Sequence, residues 1–336
     1  SGQPLREYLL REATIESVVD FGDLQVFQGV TTYPAILTMR RGAPPENHEL
    51  RFWKVDALPE NNFIASYEAG SGPYPQAALG ASSWELENPA LRRLREKIRG
   101  GRPTLKEVYG APLYGIKTGL NEAFVIDTPT KERLCVEDPK SAELLKPFLE
   151  GKDLKRWRAE PRGLWLIYIP KNRIDIDDYP AIREWLLPFK ERLEKRATQQ
   201  AWFELQQAQE AYAPHFEAVK IAYKDIGSSA PFHTDQTGAF LANTGYFIPS
   251  ADGFLAAYLN STLHWFTYLN VSAQIRGGFV RFFSNHLGEM PIPPWGSSDK
   301  RELGILHETA QELATARLSL QEGLTRRIPY LCPTGR

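Results

Sequence analysis

The chain has 336 residues, 42% hydrophobic, 24% charged and 12% aromatic, with 40 lysines and arginines against 41 aspartates and glutamates. That balance excludes a disordered or fibrous chain, a uniformly basic nucleic-acid coat and an acidic tail. Two distant cysteines and six scattered histidines argue against a disulfide framework and a structural zinc site; with no membrane-length apolar run and no signal peptide, the expected compartment is the cytoplasm.

Leu5, Tyr8, Leu9 and Leu10 predict a short helical face, residues 15–21 a half-buried strand ended by Gly22, and residues 33–39 a second strand closed by Arg40 and Arg41. One helix and two strands cannot cover both faces of a sheet, so residues 3–41 read as the tail of a larger α/β domain, the alternative being a small subdomain. Residues 42–103 read as a linker and connecting segment with some short strands. A helix opens at Pro89, with Leu91, Leu94 and Ile98 on one face, and ends at Gly100-Gly101.

Residues 104–300 read as one irregular domain. Residues 112–126 predict a strand, a glycine turn and a strand; residues 141–149 a short helix; residues 164–169 an apolar strand. Residues 180–196 predict an amphipathic helix kinked at Pro188. Short strands are expected at 219–223, 232–234 and 246–248, and one apolar helix over 254–269. Residues 301–330 read as a final helix, with Leu306, Leu313, Leu320 and Leu324 near heptad spacing. The fold class is α+β.

Gly115-Ile116-Lys117-Thr118-Gly119-Leu120-Asn121 lacks the spacing of a phosphate-binding P-loop. It reads either as a turn presenting Lys117, Thr118 and Asn121 together, donors suited to phosphate or base edges, or as a plain hairpin. Gly151 to Arg158 is a basic stretch with Lys152, Lys155, Arg156 and Arg158 around Trp157, read either as a backbone-contacting loop or as a solvated turn. Arg276-Gly277-Gly278-Phe279-Val280-Arg281 places two arginines about a flexible glycine pair, the alternative being a loose surface loop. No catalytic constellation is visible: no Asn-Pro-Pro-aromatic tetrapeptide occurs, and Gly70-Ser71-Gly72 lacks the strand-to-helix context of a cofactor loop. Asp175, Asp177 and Asp178 read as helix N-terminal charge, and Ser261 and His264 as cap and core residues.

In order and spacing these pieces resemble a known family. Residues 5–39 are similar to the closing strands of an adenine-specific DNA methyltransferase domain. The rest of the chain resembles the TaqI-like C-terminal specificity domain, the target recognition domain of single-chain restriction-modification enzymes. The matching pieces are Trp84, the Gly115–Phe124 segment, Leu145-Lys146-Pro147-Phe148-Leu149 with Gly151 to Trp157, Leu259-Asn260-Ser261 and Pro291-Ile292-Pro293. The resemblance implies a module that reads double-stranded DNA beside a methyltransferase domain of the same polypeptide. That domain would bind S-adenosylmethionine and methylate the N6 atom of adenine. The cofactor loop and catalytic tetrapeptide are missing from this stretch, which is expected to be catalytically silent and to hold no cofactor or metal itself. On this reading Lys117, Thr118 and Asn121 sit at the DNA, Lys152, Lys155, Arg156 and Arg158 on phosphates, and Arg276 and Arg281 on phosphates or guanine edges. An endonuclease activity in the parent protein stays open. The near-neutral charge fits this, because residues 91–118 carry eight basic and two acidic side chains and residues 146–173 eight and three. Two alternatives remain: a protein-interaction module docking a partner through the C-terminal helix and the Trp185–Phe203 segment, and a small-molecule enzyme built on the Gly115–Asn121 loop.

Overall fold

The computed structural model describes residues 2–22, 24–30, 32–80, 84, 89–269, 271–272, 274–275 and 278–331, and within these all side chains but those of 89–92, 274 and 324–331. The chain forms two compact units, Ser1–Gly100 and Gly101–Arg336.

In the first unit, α1 (Gln3–Glu12) runs into β1 (Ala13–Asp20), followed by β2 (Ala35–Arg41), β3 (Glu49–Lys54), α2 (Phe63–Gly70), β4 (Gly72–Pro75) and α3 (Pro89–Arg99). β2 pairs antiparallel with β1, β3 parallel with β1's other edge, and β4 antiparallel with β3. The segment read as connecting therefore supplies two strands of this four-stranded sheet. Ile15, Val18, Leu50, Tyr74 and Leu79 fill its small core, with Trp84 packed against them. Pairing of β1 with β3 begins only at Ser17. Ahead of it the buried Gln76 stands in for a strand: its Nε2 donates to Ala13 O at 2.8 Å and its Oε1 accepts from Ile15 N at 2.9 Å.

The second unit begins with α4 (Leu105–Tyr109), whose N-terminus is closed by a reciprocal Thr104–Glu107 capping box. Then come β5 (Leu113–Tyr114), α5 (Asn121–Phe124), β6 (Val125–Asp127), α6 (Thr128–Glu137), β7 (Leu145–Leu149), β8 (Leu154–Lys155), β9 (Arg158–Ala159) and β10 (Leu164–Ile167). They are followed by α7 (Pro180–Leu186), α8 (Lys190–Glu194), α9 (Pro214–Glu217), β11 (Lys220–Lys224), β12 (Ile226–Gly227), β13 (His233–Asp235), β14 (Phe240–Leu241) and β15 (Gly245–Ile248). The chain closes with α10 (Gly253–Leu259), α11 (Thr262–Tyr268), β16 (Gln274–Ile275), β17 (Phe279–Arg281), α12 (Ser284–Gly288) and α13 (Ser297–Leu331). One sheet has the order β14-β7-β10-β6 and a second β13-β11-β15-β5, with β12-β17-β16 and the β8-β9 ribbon beside them. The first sheet packs against α5 to α8 through Phe124, Leu134, Phe148, Leu166 and Ile182. The second packs against α10 to α12 through Ile221, Tyr223, Phe254, Tyr258 and Phe282. The fold is α+β, built of short strands in small sheets with flanking helices.

Three expected elements take a different form. Residues 141–149 are a 3-10 turn over Pro139–Leu144 followed by β7. A short apolar run does not distinguish helix from buried strand, and Pro147 is tolerated there because pairing with β14 begins only at Phe148. The strands near 112–126 are not a hairpin: β5 pairs with β15 and β6 with β10. The apolar helix over 254–269 is split into α10 and α11. Asn260 turns its amide to the backbone of Phe232, donating to Phe232 O at 2.8 Å and accepting from its N at 3.3 Å, and Ser261 caps the next helix at His264 N. The kink at Pro188 is realised as a 3-10 turn between α7 and α8.

Candidate nucleic-acid interface

The landmarks of the sequence meet at one short segment, Leu241 to Gly245. Ile116 N donates to Leu241 O at 2.7 Å and Asn243 N to Ile116 O at 2.9 Å, a parallel bridge centred on Ile116 and Ala242. Gly115 N donates to Gly245 O at 2.9 Å. Gly115 is required by close approach, since a Cβ there would lie 2.0 Å from Ala242 O. On the other side of the segment, Ala242 N donates to Leu149 O, Gly151 N to the Thr244 hydroxyl at 2.9 Å, and Asp225 N to Thr244 O at 3.0 Å. A Cβ on Gly151 would likewise fall 2.5 Å from Thr244 O. Five backbone stretches are thus locked together: 115–118, 149–152, 225, 241–245 and, through paired bonds between Lys117 and Gln207 at 3.1 and 2.9 Å, 206–207.

Around this junction the sequence-predicted residues fall into groups. Lys117 is exposed, with no ion-pair partner among the described residues. Thr118 is buried and its hydroxyl donates to Asn121 Oδ1 at 2.5 Å, so it orients the exposed Asn121. The Gly151-Lys152-Asp153 turn is closed by the buried Asp153, which accepts from Glu150 N at 2.8 Å and from Arg162 Nε at 2.6 Å. Lys152 projects from it and pairs with Glu150 at 3.1 Å; Lys155 stands 4.0 Å from Glu160. Exposed pairs of this kind are worth about 0–1 kcal/mol and are readily exchanged for a phosphate. Lys224, not singled out in the sequence, lies close enough to Lys155 for the like charge, after burial, to push its pKa down.

The other predicted arginines are engaged elsewhere. Arg156 Nη2 donates to Asn260 O at 2.8 Å with its guanidinium over Trp157, and Arg158 pairs with Glu160. Arg281 lies over Phe283 and near Asp225, whose carboxyl it pulls down against the larger upward push of burial. Arg276 falls outside the described residues. Sequence reasoning also missed Arg196, which donates to the carbonyls of Leu193, Thr118, Glu204, Ala201 and Trp202 and so fixes the loop that carries residues 206–207. Only its position after an amphipathic helix hinted at a helix-end role.

A concavity of about 740 Å³ lies between β9, β13 and α13, apart from this junction. Glu308 and Glu312 of α13 line it together with Arg158, leaving an acidic excess that disfavours phosphate. Beneath it a buried ion pair joins Lys220 Nζ to Asp235 Oδ2 at 2.5 Å. The buried His264 imidazole, caged by Phe232, Tyr258 and Tyr268, has its pKa pushed down to about 3 by burial.

Gly70-Ser71-Gly72 does not form a cofactor loop. Gly70 and Gly72 flank the junction of α2 with β4 instead of a strand-to-helix turn, and Gly70 is there for Trp53, whose Nε1 a Cβ would approach to 2.3 Å. Among the described residues no cluster of three metal-binding side chains occurs, and no helix is long and apolar enough to cross a membrane.

Residues 146–292 match the TaqI-like C-terminal specificity domain. The chain is 24% identical over 311 residues to the type II methyltransferase M.PaeR7I of Pseudomonas aeruginosa, covering 88% of this chain and 53% of that protein. It is 23% identical over 331 residues to the type II methyltransferase M.XhoI of Xanthomonas vasicola, covering 92% of this chain and 59% of that one. The chain therefore spans little more than half the length of these curated relatives. Among solved structures, the type IIL restriction-modification enzyme MmeI in complex with DNA shares the fold, with a TM-score of 0.53 at 13% identity over 94% of this chain and 39% of that one.

Proposed function

We propose that residues 146–292, a TaqI-like C-terminal specificity domain, are the core of a double-stranded DNA recognition module in a site-specific adenine-N6 DNA methyltransferase or restriction-modification enzyme. The catalytic, S-adenosylmethionine-binding domain of the same polypeptide would be supplied by sequence outside this chain, and the strands of the first unit would be its end. The observation that carries this reading is the convergence on the 241–245 segment of the three separate backbone stretches that carry Lys117, Lys152 and Lys224, with Asn121 held to the first through Thr118 and Lys155 close to Lys224, in a chain with near-zero net charge. Locked backbone with long cations around it is what phosphate contacts need. Arg281, near Asp225, extends the same basic surface at its margin, and Arg156 and Arg158, held by other partners, are the weaker candidates. Thr118 acts by holding Asn121.

Duplex binding measured by fluorescence anisotropy at rising salt tests the reading. With six or so phosphates neutralised, log affinity falls with log salt at a slope of about −5, and Lys152→Ala lowers the slope by about one. A flat salt response would sink it.

A second reading has one specific observation behind it. On α13, Leu306, Leu313 and Leu320 are 62, 66 and 70% exposed, an outward apolar stripe at heptad spacing. If that stripe docks a partner, light scattering detects association without DNA that Leu313→Glu abolishes.

A further inference from the structure

The bonds that build the junction also bring three exposed residues together. Lys117 and Gln207 are an antiparallel pair exchanging both backbone bonds, at 3.1 and 2.9 Å, so their side chains leave the ladder on the same face. Ile116 and Ala242 are paired in parallel and both are buried. Asn243, the first corner of the turn closed by Gly245 N to Ala242 O at 2.8 Å, donates its N–H to Ile116 O at 2.9 Å and so stands next to Lys117. All three are exposed, and among the described residues none of the three side chains has a hydrogen-bond or ion-pair partner.

We infer that Gln207, Lys117 and Asn243 form a base-reading group, the part of this surface that gives sequence discrimination, as distinct from the phosphate-contacting lysines around it. The inference rests on the DNA-recognition reading above. Its first support is chemical. Asparagine and glutamine amides present a donor and an acceptor side by side, matching adenine N6 and N7, and a lysine ammonium donates to guanine O6 and N7. Spacing agrees: the hydrogen-bonded pair Lys117 and Gln207 stand about 5.5 Å apart at Cα, within two base-pair steps of about 3.4 Å each, and Asn243 adjoins Lys117 through its bond to Ile116 O. Preorganisation separates these residues from the neighbouring cations. Asn243 lies between the Ala242 N to Leu149 O bond and the two bonds at Thr244, and Gln207 sits on the loop held by Arg196. Their backbones lose little freedom on binding, whereas Lys152 and Lys155 are long chains in weak surface pairs suited to the less directional phosphate.

The test is selection of duplexes from a pool with randomised central base pairs, run with the chain and with Asn243→Ala, Gln207→Ala, Lys117→Ala and Lys152→Ala. Melting curves by circular dichroism establish that each variant is folded. The expected result is that each variant of the group loses about tenfold or more of its discrimination at one or two base pairs, in keeping with the worth of a good bidentate contact. Lys152→Ala binds more weakly but selects the same sequence. Asn243→Asp, nearly isosteric, moves the preference at its position toward cytosine, whose N4 donates to a carboxylate. If the variants of the group bind and select the same sequence as the unchanged chain, the inference is overturned and the recognition function stands. If the unchanged chain enriches no sequence, the recognition function fails and the base-reading group falls with it.

Discussion

Gly115→Ala attacks the junction at its tightest point. The new Cβ would lie 2.0 Å from Ala242 O and 2.4 Å from Leu241 O, both backbone atoms that cannot swing aside. Relief requires the 115–117 stretch to lift off the 241–245 segment. That breaks Gly115 N to Gly245 O, Ile116 N to Leu241 O and Asn243 N to Ile116 O, bonds of 2.9, 2.7 and 2.9 Å. At about 1 kcal/mol net each, the loss is roughly 3 kcal/mol. For a unit of this size each kcal/mol is worth about 2–4 °C, so the melting temperature drops by about 6–12 °C. Lys117 and Asn243 lose their registration at the same time, and duplex affinity falls more than the loss of one cation would cause. Differential scanning calorimetry and anisotropy read the two effects. Gly119→Ala serves as comparison, since Gly119 has φ +83° and a Cβ there would meet the Arg196 side chain at 2.7 Å instead of backbone. A Gly115→Ala melting temperature within about 2 °C of the unchanged chain, a loss under 1 kcal/mol, would refute the reasoning.

Other outcomes follow from the buried polar groups. Asn260→Ala leaves the N–H and C=O of Phe232 without their side-chain partners and costs about 2–3 kcal/mol, read by urea unfolding. His264, with its folded pKa pushed down to about 3, titrates near 6.5 when unfolded. The unfolded chain therefore binds more protons between these values. Stability is full above pH 6.5 and declines as the pH falls toward 3, by about 1.4 kcal/mol per pH unit. His264→Phe keeps the aromatic cage filled and flattens that acid limb; an unchanged slope would show that the group is not buried neutral. Lys220→Ala strands Asp235 in the interior and costs about 3–5 kcal/mol, seen as a lowered denaturation midpoint, whereas the apolar and nearly isosteric double replacement Lys220→Met with Asp235→Leu costs less.

Much of the fold was legible because glycine, proline and apolar spacing act locally. The turn ends at Gly100 and Gly101, the break at Pro188 and the strand at β10 all follow from short-range sterics or runs of burial. Residues 141–149 were not legible as a strand, because Leu144, Leu145, Phe148 and Leu149 fit helical spacing as well as a buried strand. Of the candidate site, the glycines at 115 and 151 marked loops that meet at the junction, although their reason, backbone approach to the 241–245 segment, is a tertiary one. That segment itself, Leu-Ala-Asn-Thr-Gly, has no charge run or periodicity to draw attention. Gln207 stands among the glutamines of 206–209 and is distinguished only by its pairing with Lys117. The basic stretch 152–158 reads as one cationic loop, yet Glu150, Asp153 and Glu160 fold back onto it, and Arg156 and Arg158 are turned to other partners.

The central claim is that the loops gathered on the 241–245 segment are the face that meets DNA. Hydrogen–deuterium exchange of the chain with and without a mixed-sequence duplex at low salt tests it most directly. Added protection is predicted in 115–118, 151–155, 206–207, 224–227 and 241–245, with none along 308–319 of α13, where the acidic groove lies. Protection confined to α13, with the gathered loops exchanging as they do without DNA, would contradict it.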